Sequence, residues 1–453
     1  MTGERRGPRK SVLALGHPAQ YVAVAFVAAS LLGAALLSIP AASEGPGRAS
    51  IVTALFTSTS AVCVTGLTVV DTPGYWSAFG ESIILGLIQI GGLGIMTLTS
   101  LIVVVVARRL GLRQRLIAAA ETGSVALGDV RGVLVGVVRL SFTVEAAVTL
   151  ALMLRFWLSH DEPLRRAAYL GLFHSVSAFN NAGFSLFSDN LVGLNRDPFM
   201  LLVVAATVVV GGLGLPVWVQ VARNPRRPRR WSLHAKLTVA TTALLLVAGW
   251  GLLAWFEWTN PETLGALSTP DSIVNALFHS VVPRTAGFNS IDVGAMREPS
   301  HLVTEALMFI GGGSASTAGG IKVTTFALLG WVMWAELRGD PDVVVFERRV
   351  PNEAQRQALT VALLAIGIVV VATMALLATS DLSRSGLFFE TVSALGTVGM
   401  STGITHLLPT GSQLILVALM IIGRVGPPTL FAALVLRERD RLYRNPEERP
   451  IIG

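Results

Sequence analysis

Four short, uncharged segments of the chain end in glycine: Val64-Thr65-Gly66, Asn181-Ala182-Gly183, Thr285-Ala286-Gly287 and Thr397-Val398-Gly399. With no carboxylate among them, their ligands are backbone carbonyl oxygens and a few hydroxyl and amide side chains. Rings of carbonyl oxygens can replace the hydration shell of an ion. Such chemistry suits a large monovalent cation, with its modest dehydration cost, better than a divalent one. Glycine serves it because a backbone without Cβ reaches conformations that aim carbonyls inward.

The segments close a repeated unit. "FTSTSAVCVTG" runs from Phe56 to Gly66, "FHSVSAFNNAG" from Phe173 to Gly183 and "FETVSALGTVG" from Phe389 to Gly399. The third copy, "FHSVVPRTAG" from Phe278 to Gly287, is one residue shorter. A second element follows each: "IGGLG" from Ile90, "VGGLG" from Val210, "IGGGS" from Ile310 and "IGRVG" from Ile422. Its first glycine (Gly91, Gly211, Gly311, Gly423) lies 25, 28, 24 and 24 residues beyond the loop glycine. One such glycine would read equally well as a small-residue contact between packed helices. Four in register argue for a repeat.

Two features break the repeat. The third unit carries "GGGSASTAGGIK" over 311–322, in which Gly311, Gly312, Gly313, Ser314, Ser316, Thr317, Gly319 and Gly320 precede Lys322. That composition does not sustain a helix, and it predicts a flexible loop within the membrane under the four segments. In the fourth unit Arg424 replaces the second glycine of the motif inside an apolar stretch. An arginine there is costly and is a functional candidate by default. It would donate to carbonyls of the loop, and its charge would oppose a passing cation. Lys322 either snorkels toward the cytoplasm or tethers the loop, and Arg284 would brace the third segment through backbone carbonyls.

These elements require a membrane scaffold. The chain has 453 residues, 52% hydrophobic and 14% charged, against about 25% charged in soluble domains. Segments 18–43, 82–107, 198–222, 237–256 and 357–380 carry no charge, and about 20 apolar residues cross a bilayer. The first is too long for a cleaved signal peptide. The predicted first helices of the units are 18–40, 130–155, 235–257 and 356–379; the second are 79–107, 196–222, 302–337 and 412–436. The fold class is therefore an all-α integral membrane protein, with eight crossings and four re-entrant loops around a pseudo-fourfold axis. The units span 1–115, 116–234, 235–350 (with the gating loop 311–322) and 351–453. Short pore helices would point their negative C-terminal ends at the centre.

Net charge is +7, and its distribution speaks of topology, not nucleic acid. Basic residues gather at 5–10, 108–115, 223–230 and 437–444. The positive-inside rule places these in the cytoplasm, with both termini, and orients the loops outward. Anionic lipid headgroups are a compatible contact for them. One cysteine, Cys63, excludes an intrachain disulfide.

The loops "FHSVSAFNNAGFS" and "PRTAGFNSID", in four such units, resemble the Ktr/Trk/HKT superfamily of potassium transporters, closest to its KtrB-like membrane subunits. The likeness covers nearly the whole chain and leaves no room for the extra leading helix pair of the TrkH-like branch. It implies potassium translocation across the cell membrane, with Gly66, Gly183, Gly287 and Gly399 as filter glycines, potassium as the filter metal and no bound cofactor. It implies that 311–322 gates the pore, that Arg424 is the pore arginine of the fourth unit, and that an arginine belongs at Arg284. It further implies a homodimer with one pore per protomer, a cytosolic KtrA-like ring of nucleotide-binding RCK domains, and a role for sodium common in Ktr systems.

Other classes fare worse. A carrier-type cation symporter with a midplane site would show two inverted halves, not four parallel copies. A membrane-embedded hydrolase would need a nucleophile with its base, or a metal motif, and no HExxH or GxSxG stands out; the chain does not read as an enzyme. His174 and His279 open two of the loops without metal spacing, Glu390 holds the same place in the fourth unit, where it would cap or pair, and Glu145 receives no role from the sequence.

Overall fold

The computed structural model describes residues 18–45, 47–109 and 130–435. The basic clusters at 5–10, 110–115 and 437–444 lie outside them. Each unit supplies an outer helix, a short helix, a loop and a second long helix. In the first these are α1 (Pro18–Leu37), α2 (Ile51–Val62) and α4 (Ala78–Arg109), with a single turn, α3 (Thr72–Tyr75), between. The second has α5 (Val130–Ser159), α6 (Leu164–Phe179), α7 (Pro198–Leu213) and α8 (Leu215–Arg223). The third has α9 (Leu233–Glu257), α10 (Thr269–Val281), α11 (Glu298–Phe309) and α12 (Val323–Arg338), and the fourth α13 (Asn352–Thr379), α14 (Arg384–Gly396) and α15 (Thr410–Val435).

Three of the four short helices are capped where the chain turns inward. Ser50, Ser268 and Ser383 accept from the backbone N–H three residues on, which satisfies an otherwise orphaned donor. All four short helices end in buried residues, with Phe56, Phe173, Phe278 and Phe389 fixed in the core at 1% exposure or less. The outer helices behave oppositely. α13 exposes Leu363, Val371 and Met374, and α9 exposes Leu244, Val247 and Trp255. An apolar exterior around a polar centre is the arrangement a bilayer demands. Among the described residues, four helices are long and apolar enough to cross a membrane unaided: residues 78–98, 134–159, 233–257 and 352–379.

The second unit corrects one expectation. Its second crossing is not the continuous helix 196–222 but two helices, α7 and α8, bent by 98° at Gly214. Gly214 has φ +85°, and Pro216 sits in the first turn of α8. A glycine in left-handed backbone ends one helix and a proline starts the next. The third unit breaks as expected, at 310–322 between α11 and α12. The connection after α12 folds into a tight hairpin, β1 (Val344–Val345) against β2 (Arg348–Arg349), which charge pattern alone did not reveal.

Candidate functional site

Each short helix passes into its loop through the same local chemistry. Thr65, Ala182 and Val398 N–H donate to Ser60, Ser177 and Ser393 O at 2.8, 2.7 and 2.8 Å. In the shorter third loop Ala286 N–H reaches Val282 O at 2.9 Å instead. Two of those serines also work through their side chains: Ser60 Oγ accepts from Gly66 N–H at 3.0 Å and Ser393 Oγ from Gly399 N–H at 3.1 Å. The backbone then alternates. Val64, Asn181, Thr285 and Thr397 have φ between +49° and +68°, and the glycines two residues later between +70° and +95°. Positive φ in β-branched residues such as Val64, Thr285 and Thr397 is a genuine outlier. It costs on the order of 1–3 kcal/mol per residue and persists where the surroundings over-determine it.

The four loops meet. A Cβ added to Gly183 would lie 2.6 Å from Ala286 O and 2.7 Å from Gly287 Cα. On Gly287 it would lie 2.5 Å from Val398 O and 3.2 Å from Gly399 Cα. On Gly399 it would strike Thr65 O, 2.9 Å from Gly66 Cα, and on Gly66 it would strike Ala182 O, 3.2 Å from Gly183 Cα. Each glycine therefore abuts the carbonyl preceding the next unit's glycine, in the order one, two, three, four and back to one. The ring brings together all twelve residues from Val64 to Gly399 that the sequence singles out. The hydroxyls of Thr65, Thr285 and Thr397 and the Nδ2 of Asn181 are buried there without a protein partner.

The second recurring glycine has an equally local cause. Added Cβ atoms at Gly91, Gly211 and Gly423 would run into Val62 O, Phe179 O and Leu395 O, carbonyls at the C-terminal ends of their own units' short helices. In the third unit Gly311 instead faces Gly319 O of its own loop.

That loop, expected to be flexible, is pinned in this structure. Gly311 N–H donates to Ile321 O at 2.8 Å, Gly313 N–H to Gly212 O at 2.8 Å and Thr317 N–H to Gly211 O at 3.3 Å. Ser316 Oγ closes a turn on Gly313 O at 2.7 Å, and Ser314 Oγ lies 3.3 Å from Thr324 Oγ1. The bend at Gly214 makes room: a Cβ there would sit 2.8 Å from Ser314 O. Gly312 packs against Gly212 O and Ala318, while Gly319 and Gly320 lie beside Gly396 O of the fourth ring segment. Thr317 Oγ1 donates to Asn181 Oδ1 at 3.1 Å, a direct bond between loop and ring.

Arg424 is 2% exposed. Its Nη1 donates to Thr317 O at 2.5 Å and its Nη2 to Gly91 O at 3.4 Å. Lys322 Nζ donates to Ala318 O at 2.6 Å, so it ties the loop and does not reach out toward solvent. Arg284 braces the third loop through a backbone carbonyl, one that lies on the outer helix: its guanidinium donates to Thr242 O and Oγ1 on α9, at 3.4 and 3.2 Å.

In the second and fourth units the residue beside the phenylalanine ties the short helix to the chain beyond the ring. His174 Nε2 pairs with Ser185 Oγ at 3.1 Å, and Glu390 accepts from Ser401 and Thr405 hydroxyls. Ser185 and Ser401 each lie two residues past their ring glycine, so these contacts are equivalent. Both nitrogens of His279 lack a partner. Cys63 is buried and reduced behind the ring. On the rim, burial alone would raise the Asp197 carboxyl, but hydrogen bonds from Arg155, His160 and the Met200 N–H hold it below the ordinary carboxylate value. Sequence reasoning missed one cluster: Glu145 accepts from Gln89 Nε2 at 3.0 and 3.2 Å and from Asn180 Nδ2 at 3.3 Å. The signal available was a carboxylate within an apolar span, but its partners come from two other helices.

Comparison with known proteins agrees with this geometry. A family model described as TrkH, cation transport protein, matches residues 6–444. The chain is 39% identical to "Ktr system potassium uptake protein B" of Bacillus subtilis over 436 residues, covering 96% of this chain and 97% of the relative. It is 34% identical to "Potassium/sodium uptake protein NtpJ" of Enterococcus hirae, covering 96% and 97%. In fold it matches the crystal structure of the potassium transporter TrkH from Vibrio parahaemolyticus, with a TM-score of 0.70 at 18% identity over 95% of this chain and 87% of that one.

Proposed function

Because the chain belongs to the TrkH family of cation transport proteins, we propose that this multi-pass membrane protein moves potassium across the cell membrane through the ring of four loops. The cyclic contact of each ring glycine with its neighbour's carbonyl is the observation that carries the reading. On this reading backbone oxygens from the four units surround one ion, and the repeated positive φ in each loop supports carbonyls turned toward it. Uncharged oxygens favour a weakly hydrated alkali cation. The close relative's printed function, potassium uptake, supplies the ion.

The loop 311–322 is the gate on this reading, and Arg424 its latch. With Arg424 bonded to Thr317 O and Thr317 bonded to Asn181, the path beside the ring is obstructed by backbone and by a positive charge. Displacing the loop costs several hydrogen bonds at about 1 kcal/mol each, so a partner's binding energy suffices to open it. The relatives' designation as parts of a Ktr system supports such a partner, a cytosolic KtrA-like subunit with nucleotide-binding RCK domains docking on the basic segment 223–236, with the chain acting as a homodimer. The printed name of the Enterococcus hirae relative supports sodium as a second cation or activator. Both termini are cytoplasmic in this scheme, and the repeats are bounded at 1–115, 116–234, 235–350 and 351–453.

The test is rubidium uptake into proteoliposomes. Gly183→Asp forces a side chain onto Ala286 O and Gly287 and should abolish uptake, a loss of about a hundredfold or more, while the protein still folds. Shortening 312–319 should raise uptake. Wild-type flux in folded Gly183→Asp protein rejects the ring; reduced flux in the folded loop variant rejects the gate.

A further inference from the structure

The second unit differs from the others behind the ring. In three units a hydroxyl two residues after the phenylalanine donates to the outer helix: Ser58 Oγ to Ser30 O, Ser175 Oγ to Glu145 O and Ser280 Oγ to Leu246 O, all at 2.7 Å. Ser30, Glu145 and Leu246 therefore occupy equivalent places, and a serine and a leucine satisfy the fold in two of them. The carboxylate at the third is not required by the architecture. Glu145 is 4% exposed and makes no ion pair among the described residues.

Its partners are equally particular to this unit. Asn180 caps α6, where Cys63 and Thr397 cap α2 and α14. Gln89 stands two residues before Gly91, where the other second helices carry Val209, Phe309 and Ile421. Three polar residues from α4, α5 and the end of α6 thus meet behind the second loop; behind the third, the corresponding place is taken by Arg284 bonded to Thr242, beside Val209 and Leu246. All side-chain contacts to Glu145 come from amide N–H groups, the pattern an acceptor-only carboxylate requires. Asn180 Nδ2 also donates to Gln89 Oε1 at 2.9 Å, which closes the triangle. The next residue, Asn181, is both a ring residue and the acceptor of the Thr317 hydroxyl.

We infer that Glu145 is a positioning residue for the ring, a fixed negative charge behind the second loop that holds Asn180 and through it sets Asn181 against both the ion path and the gate. The inference rests on the ring reading above. In a low-dielectric site the carboxylate acts in two ways. It helps orient the Asn180 amide, which also donates to Gln89 Oε1 and Val176 O, by one charge-assisted hydrogen bond, and it attracts a cation lodged in the neighbouring oxygens. Both favour a narrow loop geometry, so discrimination among alkali cations depends on a residue that touches none of them.

The experiment compares wild type, E145Q, N180D and the double variant E145Q/N180D as full-length protein in proteoliposomes, at matched incorporation of monodisperse protein. Rubidium uptake is measured against potassium and sodium competition. E145Q removes the charge and one acceptor; N180D opposes two carboxylates. Each should raise the half-saturating potassium concentration and narrow potassium-over-sodium discrimination, roughly tenfold for the loss of a charged hydrogen bond. The double variant restores a donor facing an acceptor and should recover discrimination. Packing alone would alter the yield of folded protein, not ion preference. Single variants with wild-type half-saturation and discrimination overturn the inference, as does a double variant no better than the poorer single. Gly183→Asp run alongside separates the two readings. If it transports normally, the ring itself is rejected; if it is inactive while E145Q matches wild type, only the role of Glu145 falls.

Discussion

In the ring, the four units do nearly the same thing: positive φ two residues apart, a glycine against the next carbonyl, a phenylalanine buried behind. One layer away, where the second helices cross, they do four different things. α4 runs straight and offers Gly91 O to an arginine; α7 and α8 bend at Gly214; α11 and α12 are separated by a loop; α15 contributes the arginine. The second bend and the third break are complementary, because the loop fits into the space that the bend opens, with Gly211 and Gly212 carbonyls accepting its N–H groups. On the function proposed above, a site that surrounds a spherical ion is served by repetition, whereas an obstruction that moves is asymmetric, because one segment must be able to leave.

That contrast predicts opposite signs for substitutions in the two layers. Gly183→Asp in the ring carries the largest expected effect, a loss. Arg424→Ala in the other layer should raise rubidium uptake severalfold without a partner present, since it frees Thr317 O and Gly91 O and deletes a positive charge from the path. A folded Arg424→Ala protein with lower uptake would erase the distinction. Ser393→Ala sharpens it within the ring. Loss of the bond to Gly399 N–H should cost about 1 kcal/mol and soften selectivity at the fourth segment, measurable as stronger sodium competition. Ser177, whose hydroxyl donates to Phe184 O instead, should show less.

Asp197 belongs to neither layer and gives the smallest effect. Its folded carboxyl titrates below its unfolded value, so its contribution to stability is full above the unfolded pKa and disappears as pH falls through the folded one. The thermal stability of wild type over Asp197→Asn should therefore be greatest near neutrality and vanish under acid conditions. A difference that persists in acid would assign the residue's role to packing alone.

Most of the ring was legible because its determinants are local. A phenylalanine, a serine four residues on and a glycine after a fixed interval describe one helix end and one turn, and recurrence supplies the rest. Loop 311–322 was legible for the same reason, since five glycines in twelve residues cannot be helical. The bend at Gly214 was missed although Gly214 and Pro216 stand together, because an uncharged stretch of spanning length reads as one helix. The true partners of Arg284 and Glu145 lie 42, 56 and 35 residues away. No spacing within a single helix encodes them; they exist only once separate helices pack together, within one unit for Thr242 and Asn180 and between two units for Gln89. The flexibility expected of the loop was likewise read from composition, which carries no sign of the tertiary hydrogen bonds that the loop makes to Gly211 and Gly212.

The ring is sealed by the approach of Gly399 to Thr65, and so by the last-made quarter of the polypeptide meeting the first. On the proposed reading, the first three quarters alone leave the circle open on one side and enclose no conduit. Ionic leakage through the ring would then have to wait for the carboxy-terminal quarter, which also carries Arg424.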